Sequence, residues 1–171
     1  MEKRCPTSTY QGIARLPNYR WIINSRGYAN IVEASTPIPE NQYPNVVFGL
    51  VYTLQTSDEA NLDANEGVPY AYTKEDLEVD FWPAGNASQR IDVGDAPVKT
   101  TMLVYVDRER IVDAAPKAEY VFRMNMGIRD AVRLGVPVEY VRRVMRRFIA
   151  EKEDAGVVQV AVKQAVGFED V

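Results

Sequence analysis

The chain has 171 residues, of which 46% are hydrophobic and 26% charged, with a net charge of −4 at pH 7. This balance suits one folded domain, residues 1–171, with a sizeable core, and argues against intrinsic disorder. The acidic total gives no global electrostatic reason to bind nucleic acid, and no apolar run is long enough to cross a bilayer, so neither partner is expected.

Histidine is absent and cysteine occurs once, as Cys5. The first fact excludes Ser-His-Asp and Cys-His arrangements, histidine-rich zinc sites and any histidine base. The second excludes an internal disulfide and fits a reducing, cytoplasmic setting. Acid–base chemistry must then rest on Asp, Glu, Tyr, Lys or Cys.

In chain order, residues 9–16 (TYQGIARL) and 20–24 (RWIIN) read as strands joined by a turn at Pro17 and Asn18. Residues 28–34 form a third strand, and the three prolines within residues 36–44 mark an ordered surface loop. Val46, Val47, Phe48, Leu50, Val51, Tyr52 and Leu54 make a nearly continuous apolar run, the pattern of a strand covered on both faces. Thr56 and Ser57 offer N-cap hydroxyls, Asp58 and Glu59 suit a first helical turn, and Thr56 with Glu59 has capping-box spacing. Asn65, Gly67 and Pro69 should stop that helix within about two turns, leaving Glu66 where the chain turns back toward the sheet.

Residues 76–82 alternate, with Leu77, Val79 and Phe81 on one face and Asp76, Glu78 and Asp80 on the other. Residues 83–97 read as a variable polar loop, and residues 99–106 as another strand. The period then becomes helical over residues 117–134, with Tyr120, Val121, Met124, Ile128, Ala131 and Val132 on one face and Gly135 closing the helix. Pro137 starts a second helix, with Val138, Val141, Val144, Met145 and Phe148 inward and Arg142, Arg143, Arg146 and Arg147 outward. That arginine face suggests a phosphate or RNA contact but is better explained as a solvated face. Residues 156–166 are expected to add a last strand. Strands first and helices last imply an α+β domain on a mostly antiparallel, curved or closed sheet.

The strings GLVYTL, SDEANLD and EGVPYAY, spread over residues 49–72, resemble the central signature of the γ-glutamylcyclotransferase family. The similarity extends upstream through RCPTSTYQGIARLPNYRWIIN and downstream through AEYVFRMNMGIRDAVRLGVPVEYV, with a weak middle over residues 81–98. Ordered multi-segment similarity of this kind is far more specific than one motif. The resemblance implies a small, mostly antiparallel β-barrel with flanking helices, and release of an amine from a γ-glutamyl compound as 5-oxoproline forms. No cofactor and no metal is implied; Asp58, Glu59 and Asp63 lack any recognised metal-ligand spacing.

In that reaction the α-amine attacks its own γ-carbonyl. A base must deprotonate the ammonium, donors must stabilise an oxyanion, and the substrate must be held folded, which can contribute on the order of 7 kcal/mol. The resemblance points to Glu66 as the base, returning the proton to the leaving nitrogen. It places Tyr72, Tyr105 and Tyr120 around the pocket as substrate-binding groups. By spacing alone, Glu66 reads as a solvated helix-end glutamate and each tyrosine equally well as a core residue.

Members of the family open with a strand and a glycine-containing YGSN-type loop that supplies oxyanion donors, and this chain resembles them only from just after that loop. The expectation is therefore that Met1 is internal to a longer reading frame, and that the chain as written is weakly active, with open sheet edges prone to self-association. The expected partner is a small γ-glutamyl substrate, with a homodimer left open. Two functions remain: a γ-glutamylcyclotransferase, or a non-catalytic γ-glutamyl-binding or interaction protein of the same fold.

Overall fold

The computed structural model describes residues 5–35 and 43–151. The expected last strand, most of the proline-rich loop and Met1 itself lie outside the described residues.

Six strands come in the expected order: β1 (Tyr10–Pro17), β2 (Tyr19–Ile23), β3 (Ala29–Glu33), β4 (Val46–Tyr52), β5 (Thr73–Pro83) and β6 (Val98–Val106). Helix α1 (Thr56–Glu66) lies between β4 and β5, and α2 (Ala118–Leu134) and α3 (Val138–Arg143) follow β6. Among the described residues every ladder is antiparallel, and the fold is α+β as the residue pattern implied. Four strands form one sheet in the order β4-β1-β5-β6, while β2 and β3 pair as a separate hairpin. That hairpin touches β4 through β2 and β6 through β3, so it sits beside both edge strands of the larger sheet.

Register fixes the two faces of the sheet. Ala14 lies opposite Gly49 and Phe81, and Ile13 lies opposite Leu50 and Trp82. Because side chains alternate along a strand, Ala14, Leu16, Val47, Val79, Met102 and Val104 share one face, which lines an apolar cavity of about 430 Å³. On the other face Phe48 stacks on Trp82 at 6.5 Å and meets Tyr140 of α3 edge-on at 5.1 Å. Trp21 of the hairpin packs against Phe148 at 5.7 Å. These rings belong to one core joining sheet, hairpin and C-terminal helices.

Several expectations change. Strand β4 is an edge strand whose residues are mostly half-buried. Its continuous apolar run meets α3 on one face, through Phe48 and Tyr140, and the cavity on the other. Helix α1 runs for 11 residues, about three turns instead of two. Its N-cap is Gln55, with no side-chain cap, so Thr56 and Ser57 do not cap it. Asp58 instead turns inward and accepts hydrogen bonds from the Thr7 N–H (3.1 Å) and hydroxyl (2.7 Å), tying the segment before β1 to the helix.

On β5, Asp80 lies on the face opposite Val79 as the alternation implies, yet it is buried and accepts from Arg15 Nε at 3.1 Å and Nη2 at 2.7 Å. The 83–97 loop is mostly exposed, as a polar loop should be, and is anchored at two points: Trp82 Nε1 donates to Asp95 O, and the Ile91 N–H donates to Leu134 O, both at 2.8 Å. Helix α3 spans only six residues before a 3-10 turn, so Val138 stands 60% exposed and Tyr140 fills the core. The outward arginines are already engaged, Arg142 and Arg143 with Glu139, and Arg146 with Asn125 Oδ1.

Candidate active site

Glu66 ends α1, and the chain reversal behind it is well defined. Gly67 takes φ +65°, the left-handed geometry that favours glycine. Its N–H reaches Ala64 O at 3.3 Å and the Val68 N–H reaches Asp63 O at 3.0 Å, the paired bonds of a Schellman turn. Two further backbone bonds, from Tyr70 and Ala71 to Gly67 O at 2.8 Å, tighten the turn. Glu66 is therefore half-buried on a fixed helix end that leads straight into β5.

Tyr72, just ahead of β5, is buried, and its hydroxyl donates to Ala29 O at 3.2 Å. Burial, and next the negative charge of Glu66, push its phenol above the ordinary range. Tyr72 thus stays a neutral donor, with Glu66 within its electrostatic reach. Tyr120, on the first turns of α2, accepts from the Ala29 N–H at 3.3 Å. Two of the three expected tyrosines therefore hold the same backbone residue, one by its carbonyl and one by its amide.

Tyr105 belongs to a neighbouring cluster. Its hydroxyl donates to Asp63 Oδ1 at 2.6 Å, and Lys74 bonds both Asp63, at 3.0 Å, and Glu59. Burial first, and then the bond to Asp63, raise the Tyr105 phenol, with a smaller contribution from Glu66. The same bond, ahead of Lys74, lowers the Asp63 carboxyl. Tyr105 also borders the apolar cavity, together with Leu62 of α1. Glu66, Tyr72 and Tyr120 do not border it. Among the described residues no three Asp, Glu or Cys side chains come together as a metal site.

Reading the sequence missed four neighbours: Arg26, Tyr28, Lys117 and Arg123. Lys117 Nζ donates to the Tyr28 hydroxyl at 3.1 Å and lies 4.7 Å from its ring centre. Arg26 covers the same ring at 6.0 Å, and its charge lowers the Tyr72 phenol, opposing Glu66. Tyr28 meets Tyr120 edge-on at 5.2 Å, and Arg123 covers the Tyr120 ring at 5.5 Å. The usable signal was Gly27 between Arg26 and Tyr28. At φ +85° it closes a tight turn in which the Asn24 N–H donates to Tyr28 O, and it packs on Lys117.

The arrangement sets a buried neutral phenol and three cations around the start of β3, with Glu66 within electrostatic reach of that phenol. Solved structures of the same shape include a γ-glutamyl cyclotransferase, at 18% identity, with a TM-score of 0.62 and coverage of 95% of this chain and 89% of that one. The chain has the γ-glutamyl cyclotransferase fold. An uncharacterised human protein is similar to the same degree, at 18% identity, TM-score 0.61, 94% of this chain and 89% of that one. No protein-family model matches the chain, and no curated protein matches it in sequence. Among the described residues no helix is long and apolar enough to cross a membrane.

Proposed function

We propose that the chain is a γ-glutamylcyclotransferase that converts γ-glutamyl amino acids, or related glutathione-derived γ-glutamyl compounds, to 5-oxoproline and a free amine. The observation that carries this reading is Glu66, held on the α1 Schellman turn within electrostatic reach of buried Tyr72 and, through it, of Arg26. The γ-glutamyl-cyclotransferase fold supports it.

In this reading the carboxylate of Glu66 takes a proton from the substrate α-ammonium, freeing the nitrogen lone pair to attack the γ-carbonyl carbon. A C–N bond closes the five-membered ring, and the carbonyl oxygen carries the negative charge of the tetrahedral intermediate. As that charge returns, the original γ-amide C–N bond breaks and Glu66 delivers its proton to the departing nitrogen; the second proton of the ring nitrogen, which the neutral lactam does not keep, passes to the released amine, which leaves as an ammonium. Tyr72 and Tyr120 hold the backbone around Ala29 and set the shape of the site, while nearby cations attract the carboxylates of the substrate.

The test is Glu66→Gln, which keeps the size and hydrogen-bonding capacity of the side chain but removes the proton acceptor. Turnover of γ-glutamyl-alanine to 5-oxoproline should fall on the order of 100-fold or more, with calorimetric affinity changed only modestly. A variant that turns over near the parent rate removes Glu66 from the chemistry. Tight binding by a parent protein that forms no 5-oxoproline would instead identify a non-catalytic γ-glutamyl-binding protein.

A further inference from the structure

The apolar cavity of about 430 Å³ is bounded by all four strands of the larger sheet, with Ile31 of β3 and Leu62 of α1 completing its walls. Its volume falls within the range of small-molecule sites. The hollow is a matter of side-chain size. Ala14 and Gly49 lie directly opposite each other on β1 and β4, and both line it. A Cβ on Gly49 would meet no atom beyond its chain neighbours within 4 Å, and Gly49 has no left-handed φ that would call for glycine. Benzene fills an apolar cavity of about 150 Å³, so this one takes an apolar body on the order of a dozen non-hydrogen atoms.

Tyr105 gives the cavity a polar margin. Its hydroxyl donates to Asp63 Oδ1 at 2.6 Å, and its oxygen can still accept a hydrogen bond. The side-chain charges that act most strongly on this phenol are those of Asp63, Glu59 and Glu66, all negative. Lys74, bonded to Asp63 at 3.0 Å and to Glu59, offsets one of the three. The Glu59 and Asp63 side chains are partly exposed, so a head group can reach them. A ligand is therefore selected here by the sign of its charge as well as by its size, an ammonium being attracted and a carboxylate repelled.

We propose that this cavity binds an organic ammonium with an apolar body, the body filling the hollow over Ala14 and Gly49 and the cationic head donating to Tyr105 and Asp63 at the margin. Glu66, Tyr72 and Tyr120 do not border the cavity, so the site is distinct from the residues assigned to cyclisation and stands whether or not that reaction occurs. A neutral ligand of the same shape would fill the hollow without meeting the charge at its margin. A short amine would meet that charge and leave the aliphatic walls uncovered.

Calorimetry at pH 7 compares phenylbutylamine with neutral phenylbutanol, anionic phenylpentanoate, and butylamine, which has the head group without the ring. The parent should bind phenylbutylamine on the order of tenfold more tightly than phenylbutanol, the size expected of a charge-assisted hydrogen bond. It should also bind phenylbutylamine more tightly than butylamine or phenylpentanoate. Asp63→Asn keeps an acceptor for Tyr105 and removes a charge, so that preference should shrink to about threefold or less, with phenylbutanol affinity within about twofold of the parent. Gly49→Leu fills the hollow and should weaken both ring-bearing probes on the order of tenfold or more, with a circular dichroism melt to confirm folding. In the parent protein the methyl resonances of Ala14 and Met102 should shift on addition of phenylbutylamine and stay in place with butylamine. If Gly49→Leu does not fold, these methyl shifts alone decide occupancy of the cavity. Equal affinity for the amine and the alcohol, or tighter binding of the carboxylate, would overturn the assignment. So would unchanged affinity in folded Gly49→Leu, unmoved methyl signals, or no binding of phenylbutylamine at millimolar concentration.

Discussion

Asp80 offers the sharpest test of how the sheet is built. The alternation of β5 assigns it to a polar outer face, yet its side chain is 4% exposed and is bonded twice by Arg15, itself 20% exposed, from the neighbouring strand β1. Lys99 of β6 adds a looser contact at 3.5 Å. Truncating one partner of a buried ion pair costs about 3–5 kcal/mol, because the other charge is left without compensation. Arg15 retains some access to water, so Asp80→Ala should fall near the lower end, at about 3 kcal/mol. For a chain of this size that corresponds to roughly 6–12 °C in Tm, at about 2–4 °C per kcal/mol. The double variant Asp80→Leu with Arg15→Met removes both charges and should return to within about 1 kcal/mol of the parent. Urea titration followed by circular dichroism measures all three. If Asp80→Ala costs under about 1 kcal/mol with an unchanged m-value, the pair is solvated and the burial argument fails.

Other consequences follow from the same structure. Tyr72→Phe deletes the bond to Ala29 O, so stability should drop by about 0.5–1.5 kcal/mol along with a severalfold loss of kcat/KM; unchanged melting would show that the hydroxyl is not held there. Gly135→Ala places a Cβ 2.1 Å from Ile91 O at φ +124°, so it should cost about 1–3 kcal/mol or more, read as a lower urea midpoint. Acid should destabilise the fold in a defined window. Arg108 holds the Glu75 carboxyl below its ordinary 4.5, and Arg142 with Arg143 hold Glu139 at about 2. A depressed folded value means the contribution is complete above the unfolded value and is lost as pH falls toward the folded one. With no histidine to titrate, Tm should be flat from pH 7 to about 5 and fall below that. A Tm that rose on acidification to pH 3 would contradict these pairings.

Most of the element order was legible because it rests on local signals. Strand alternation in β1 and β5, the helical stripe of α2 with Gly135 behind it, and Gly67 after Glu66 each leave a mark within a few residues. What stayed hidden depends on partners distant in sequence. Asp58 looks like a first-turn acid and is recruited by Thr7, 51 residues away. Asp80 looks solvated until Arg15, 65 residues away, buries it. The apolar run of β4 marks two covered faces but does not tell that one of them is a cavity wall.

The candidate site divides in the same way. Family resemblance singled out Glu66, Tyr72, Tyr105 and Tyr120; the structure brings the hydroxyls of Tyr72 and Tyr120 to the backbone of Ala29 and joins Tyr105 to Asp63, with Glu66 within electrostatic reach of both Tyr72 and Tyr105. With ten tyrosines in the chain, spacing alone could not make that division. The pairing of Tyr28 with Lys117 was not legible because the two lie 89 residues apart, and Gly27 marks only the turn at one end of it.

The central claim is that Glu66 drives an internal cyclisation, and the origin of the oxygen in the product tests it most directly. γ-Glutamyl-alanine is incubated with the protein in ¹⁸O-labelled water and the products are read by mass spectrometry. Ring closure by the substrate amine predicts equal amounts of alanine and 5-oxoproline, with no label in either, and loss of both in Glu66→Gln. Labelled glutamate would show attack by water instead, and unchanged substrate with the parent protein would show that no reaction occurs; either result contradicts the account.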